Sequence, residues 1–456
     1  MRELHTDFVG LHTIWPGADG RPAARSYLDS AATTLAMGHA LERRDRLLRH
    51  YGSPHTALNA ASALCVEALK LAQATVLRFF GFPPDDYHCI FLGSGATGAL
   101  NRAAAMLARL HRDRRGVALS MMEHHSNDLP HRAACESVCH VPLAANGALD
   151  LAALERALSG GRVGYVAITA CSNVTGALTP LGDVADLVHR HGAHLLVDGS
   201  QIAVHRRLDA PGALDAFVFC GHKAYAPGTP GVLIMRKSLH DAAGPVELGG
   251  GMVRRVSEHA FEFAADPADR AHAGTPDVLG AFQIAMVLDR LDEHGFDRVI
   301  AHEQALTHRL LDQLRSMAGE VVLYGDPDPR QRVGVVSFNV RGLDHPVVAW
   351  ALSSCFNITV RNGCFCAQPY VRELLGVGQD LDAVDAVDDA SLLGLVRASI
   401  GVYTSAQDID GLTQALRDIA ARPDHYRRWF RSSEAHGRDR GREIARRQLD
   451  ALCRLG

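Results

Sequence analysis

The sequence predicts an α/β protein: a large domain on a mostly parallel sheet, followed by a smaller α+β domain. Three observations lead there. At 456 residues the chain exceeds what one hydrophobic core usually organises. Between residues 88 and 235, short apolar strand patterns alternate with helix patterns, the order of a parallel sheet with flanking helices. Beyond residue 321 a second, shorter series of strands and helices begins. The expected divisions are an irregular segment over 1–26, a large domain over 27–300, a small domain over 301–418 and a basic helical tail over 419–456.

The elements follow in order. Pro16, Gly17, Gly20 and Pro22 make the start irregular. Tyr27 to Thr34 (YLDSAATT) reads as a short strand running into small hydroxyl residues, either a ligand approach or a helix cap. A basic helix is expected over 41–50, a polar loop over 51–59 and a long helix over 60–80, stopped by Gly81 and Pro83. The strand at 88–92 enters GSGATGALN (93–101), a glycine-rich turn opening a helix. Such turns leave backbone N–H groups free for phosphate, though many are only turns. Strands at 117–121 and 165–170 end in Glu123-His124-His125-Ser126-Asn127 and Cys171-Ser172-Asn173. A helix over 180–191 precedes the strand ending in Asp198. One long helical region, 278–317, should lead to the small domain, where 335–340 alternates like a half-buried strand. Helix 347–356, strand 358–360, the loop Val360 to Pro369 (VRNGCFCAQP) and strand 395–400 complete it. The tail carries many arginines with acids interspersed, the pattern of a solvated helical face.

Composition narrows the function. A net charge of −4 gives no reason to expect nucleic-acid binding. No apolar run is expected to be long enough to cross a membrane. The N-terminus lacks a signal-peptide pattern, and the ten cysteines contain no CxxC pair. Free thiols in a reducing cytoplasm are therefore expected, and no metal ligands are assigned.

The chemistry concentrates in Asp215 to Val232 (DAFVFCGHKAYAPGTPGV). A buried strand ends at Cys220, and Lys223 stands just beyond it. That is a poor place for a solvated charge and a good one for an amine that forms an imine. Asp198 ends a neighbouring strand, and ligands in such sheets sit beyond the carboxyl ends. A lysine and an acid so placed suggest pyridoxal phosphate, with Lys223 as Schiff-base partner and Asp198 on the pyridinium nitrogen.

In order, LDSAATT, GATGALN, MEHHSN, SNVTG, VDGSQ, GHKAYAP, AGTP, VRNGCFCAQP and VRASIGVY resemble the class V aminotransferase family, in its cysteine desulfurase and selenocysteine lyase branch. The resemblance runs from about Tyr27 to Thr404 and implies the fold-type I architecture of pyridoxal-phosphate enzymes. It implies that His124 stacks on the cofactor ring and moves protons. Asn173 and Gln201 would bond the ring hydroxyl region. Ala96, Thr97 and His222 would hold the phosphate. Thr275 would reach the phosphate of a second subunit in a homodimer. Arg397 would clamp the substrate carboxylate, and Cys366 would accept sulfur. Cys220 stands where many relatives have a phosphate-binding serine, and a thiol donates more weakly. The Cys364-Phe365-Cys366 loop and YGSPHTALN also resemble the molybdenum-cofactor sulfurases.

The activity implied is conversion of L-cysteine, or a related sulfur or selenium amino acid, to alanine. Sulfur would pass through a Cys366 persulfide to a protein or small-molecule acceptor. Arg361 is expected to favour the Cys366 thiolate. An extended backbone would place Cys364 on the same face as Cys366, as a relay or as packing. A C–S β-lyase or a selenocysteine lyase would share the fold, and the β-lyase would not need Cys366. A catalytically dead scaffold is the remaining alternative, against which the retention of Lys223, Asp198 and Arg397 argues.

Overall fold

The computed structural model describes residues 2–16, 22–144, 146–265, 270–326, 328–379 and 393–434, with 445–446, 449–450 and 453–454. Most of the expected basic tail beyond 434, and Gly17 and Gly20, lie outside the described residues.

The large sheet has seven strands: β1 Tyr87–Leu92, β2 Gly116–Ser120, β3 Ser137–Val141, β4 Val163–Thr169, β5 His194–Asp198, β6 Ala216–Cys220 and β7 Gly231–Arg236. Their order is β1-β7-β6-β5-β4-β2-β3. From β6 to β3 every pairing is parallel, while β7 runs antiparallel to both β6 and β1. The helices Gly38–Leu48 (α1), Ala60–Phe80 (α2), Gly95–Leu110 (α3), His125–Ala134 (α4), Leu151–Ser159 (α5), Leu181–Arg190 (α6) and Lys237–Ala243 (α7) belong to this part of the chain. β2, β4, β5 and β6 are buried along almost their whole length, so their sequences read as apolar runs without alternation.

α2 amends one expectation. Its 21 residues are long and apolar enough to cross a membrane. Here it is a core helix that packs on the later helix Val278–His294, burying Cys65, Ala68, Ala72 and Val76 while Glu67 and Lys70 pair at the surface. Gly81 closes it in the left-handed conformation, as its sequence position suggests.

The expected long helix over 278–317 is two helices, α8 Val278–His294 and α9 Phe296–Arg315. Gly295, at φ +90°, breaks it. The small domain holds an antiparallel sheet of β8 Val321–Tyr324, β9 Val335–Val340, β10 Arg361–Gly363 and β11 Leu395–Ser399, in the order β8-β9-β11-β10. β9 is buried on both faces rather than alternating. Val336 and Phe338 enter the small-domain core, and the Ser337 hydroxyl donates to the Val174 carbonyl of the large domain. Helices His345–Phe356 (α10), Gln368–Leu375 (α11), Ala406–Ala421 (α12) and Pro423–Glu434 (α13) complete it.

Two features tie the parts together. Ser26 and Tyr27 pair with Ile358 and Thr359, and Leu28 is buried in the small-domain core. Met122, Val174, Ala177, Ala367, Tyr370 and Val371 form a separate buried cluster where the two parts meet, beneath Cys364 and Phe365. Each large side chain buried there contributes about 1.5–3 kcal/mol.

Candidate active site

The parallel strands end together, and the chemistry-bearing residues stand at those ends. Asp198 closes β5 and Cys220 closes β6. Lys223 follows in the short helical turn Gly221–Lys223. His124 caps α4, and its Nδ1 accepts from the Ser126 amide at 3.1 Å. In the neutral ring that bond leaves the proton on Nε2.

Electrostatics shows which groups share the space. Burial pushes His124 down to about 3, reinforced by the charges of Lys223, His125 and Arg397. Burial, then Lys223, pushes His222 down to about 4. Burial raises the Cys220 thiol while Lys223 opposes it and Asp198 adds to it. Lys223 thus shares this space with two neutral imidazoles and a protonated thiol, and the Asp198 carboxyl acts on that same thiol. Asp198 accepts from the Ser200 amide at 2.9 Å.

Next to this ring is the glycine turn. Ser94 caps α3 in the left-handed conformation at φ 61° without a side-chain cap, leaving the first N–H groups of the helix open. A Cβ on Gly95 would come within 4 Å of Cys220 and His222, so the turn faces the lysine loop closely. Thr97 shares a 2.7 Å hydrogen bond with Ser126, and Ala96 lies in the same helical turn. An anion here would meet a helix N-terminus, Thr97 and His222, with Lys223 and Asp198 within electrostatic reach. The donor set fits a phosphorylated aldehyde cofactor.

The small domain supplies the other side. Arg397 on β11 is buried; its Nη1 donates to the Asn173 carbonyl at 2.8 Å and its Nη2 to Asp29 at 3.4 Å. Its Nε has no partner among the described residues. Burial lowers it to about 10, so it stays a cation. The Phe365 ring covers it, 4.6 Å from guanidinium carbon to centroid. Cys366 is exposed and close enough for its charge to act on Arg397.

The loop geometry corrects one expectation. Phe365 and Cys366 both adopt positive φ, 53° and 54°, so the segment is a left-handed turn rather than an extended strand. Cys364 and Cys366 therefore do not share a strand face. The Cys364 thiol turns to the Leu393 carbonyl at 3.2 Å, while Cys366 stays exposed. Two hydrogen bonds hold the turn: Asn173 Nδ2 to the Phe365 carbonyl and the His125 amide to the Cys366 carbonyl, both 2.7 Å.

Gln201 and Thr275, like Asn173, make hydrogen bonds within this chain. Gln201 is buried and donates to the Ala31 carbonyl at 2.8 Å. Thr275 bonds His55 at 3.0 Å and lines a cavity of about 350 Å³ with Gly93 and Ser94 of its own chain.

Sequence reading missed Glu123, Asp29 and Phe365 as site residues. Glu123 is fully buried one position before His124 and accepts from Ser120 at 2.5 Å, Asn127 at 2.6 Å and the Thr169 amide at 2.9 Å. Burial outweighs those bonds and pushes it up to about 8. It anchors the strand end that presents His124. Its signal was its place inside MEHHSN.

A family model for class-V aminotransferases matches residues 26–412. A protein of Halalkalibacterium halodurans named probable cysteine desulfurase is 32% identical over 86% of this chain and 92% of its own. One of Pectobacterium carotovorum named cysteine desulfurase is 32% identical over 88% and 94%. Among solved structures, the apo cysteine desulfurase of Thermococcus onnurineus superposes with a TM-score of 0.78 at 26% identity, covering 87% of this chain and 95% of that one. The S-sulfonic acid form of an Escherichia coli cysteine desulfurase gives 0.75 at 26% identity, covering 92% and 98%.

Proposed function

Because the chain belongs to the class-V aminotransferase family, we propose that it is a pyridoxal-phosphate-dependent cysteine desulfurase, forming alanine from L-cysteine and a persulfide on Cys366. The observation that carries this reading is the exposed Cys366 beside buried Arg397, on a turn hydrogen-bonded to the helix that His124 caps.

Pyridoxal phosphate would be held by the α3 N-terminus, Thr97 and His222, and would supply an electron-accepting ring. Lys223 is the base for the Cα proton. Asp198 would keep the ring nitrogen protonated. Arg397 binds the substrate carboxylate through its two-pronged face, and Asn173 holds that guanidinium in place. His124, neutral and protonated on Nε2, delivers and recovers protons. The Cys366 thiolate attacks the substrate sulfur. The C–S bond breaks, the carbon takes a proton, and the outer sulfur remains on Cys366. One thiol and one cysteine thus become one persulfide and one alanine, without an external oxidant or reductant.

The same reading takes in the selenium analogue as substrate, and a protein or small-molecule nucleophile as sulfur acceptor. It also makes the enzyme a homodimer, with Thr275 reaching the second site. Exposed Leu58, Leu64 and Leu71 support a covered face on this side of the chain. A reducing cytoplasm suits a chain whose ten cysteines are all free thiols.

Lys223→Ala tests the cofactor assignment. The wild-type protein reconstituted with pyridoxal phosphate should show the visible band of a lysine-bound cofactor, and the variant should lack both band and activity. A variant that keeps the same band would remove Lys223 from this role.

A further inference from the structure

Away from the active site, at the edge of the large sheet, three metal-capable side chains converge. His88 lies on edge strand β1, and His240 and Asp241 lie on α7. Their donor atoms are within 4.8 Å of one another. His240 Nδ1 is 3.1 Å from Asp241 Oδ1, and His88 Nε2 is 3.7 Å from the same oxygen. Donors on a tetrahedral zinc with bonds of about 2.0–2.1 Å stand about 3.3–3.5 Å apart, so two of the pairs already bracket the required spacing. The imidazoles meet edge-on, with ring centroids 4.8 Å apart.

One donor atom is poorly satisfied. His88 Nε2 is buried and makes no hydrogen bond of normal length among the described residues; its contact is the Asp241 oxygen at 3.7 Å. Buried polar atoms are nearly always satisfied, and a missing ion is one of the recognised reasons when they are not. Asp241 is 40% exposed, so solvent and ions reach its carboxylate. The ligand types select the ion. Arg102 and Arg270 act on His240, and Lys237 acts on His88, a positive field that opposes any dication. Two imidazole nitrogens favour a borderline ion of the zinc class over a hard one.

We propose that His88, His240 and Asp241 form a binding site for a zinc-class divalent transition metal, clamping α7 to edge strand β1. The clamp sits on the strand that runs directly into the Gly93–Gly95 turn.

The test uses the full-length, cofactor-loaded protein with its thiols blocked by N-ethylmaleimide, so that cysteines do not compete. Equilibrium dialysis against buffered zinc should give one bound equivalent. His88→Gln and Asp241→Asn should each weaken that binding by about 100-fold, since even outer-shell changes cost about 10–100-fold. Zinc should raise the thermal midpoint of the wild type and leave both variants unmoved. Asp241 is exposed, so its substitution leaves folding intact even if that at His88 does not. Absence of the equivalent in the blocked wild type, or its undiminished retention by Asp241→Asn, would overturn the site.

Discussion

Asn173 Nδ2 donates to the carbonyl of Phe365 at 2.7 Å, while the carbonyl of Asn173 accepts from Arg397 at 2.8 Å. One residue on a large-domain turn thereby holds both the loop of the proposed nucleophile and the proposed carboxylate clamp. The left-handed pair Phe365–Cys366 costs about 1–3 kcal/mol per residue, and such backbone persists only where surrounding bonds over-determine it. Asn173→Ala should therefore lower alanine formation at saturating cysteine by about tenfold, the value of one hydrogen bond of about 1.4 kcal/mol. The cofactor band should remain. Unchanged steady-state turnover would show that the turn holds itself.

The phosphate turn depends on a missing side chain. A Cβ at Gly231 on β7 would lie 2.0 Å from the Gly95 carbonyl oxygen. Gly231→Ala must push that backbone away and spoil the anion site. Cofactor release, followed by dialysis and absorbance, should be at least about tenfold faster, and the thermal midpoint should fall. Wild-type retention would mean that the helix N-terminus is not the anchor.

A pH prediction follows from Asp128 on α4. Burial, the largest influence, raises its pKa, but hydrogen bonds from His140 and Arg132 outweigh it and bring it from 3.8 down to about 2. Since the folded value lies below the unfolded one, the stabilisation is complete above about pH 4 and is lost as pH falls through about 2. The gap in thermal midpoint between wild type and Asp128→Asn should shrink as pH falls from about 4 through about 2. A gap that widens on acidification would reverse the sign of this contribution.

The site was legible where chemistry sits at the end of an apolar run. Lys223, Asp198 and His124 could be placed because strand ends are local features, and the strands carry them to one place. What depends on distant pairing was not legible. β7 turns antiparallel through its register with β1, and Leu28 is captured by the small domain. The face of Cys364 was misread because two consecutive L-residues with positive φ leave no pattern in sequence. The split between α8 and α9 rests on Gly295 alone, inside an otherwise continuous helical periodicity.

The most direct test of the central claim is the product balance from L-cysteine, with reducing thiol present, for wild type and Cys366→Ala. The wild type should release alanine and sulfide in equal amounts, and the variant should lose both by at least about 100-fold while keeping its cofactor band. Pyruvate and ammonia, formed equally by both proteins, would contradict transfer to Cys366 and leave a C–S lyase.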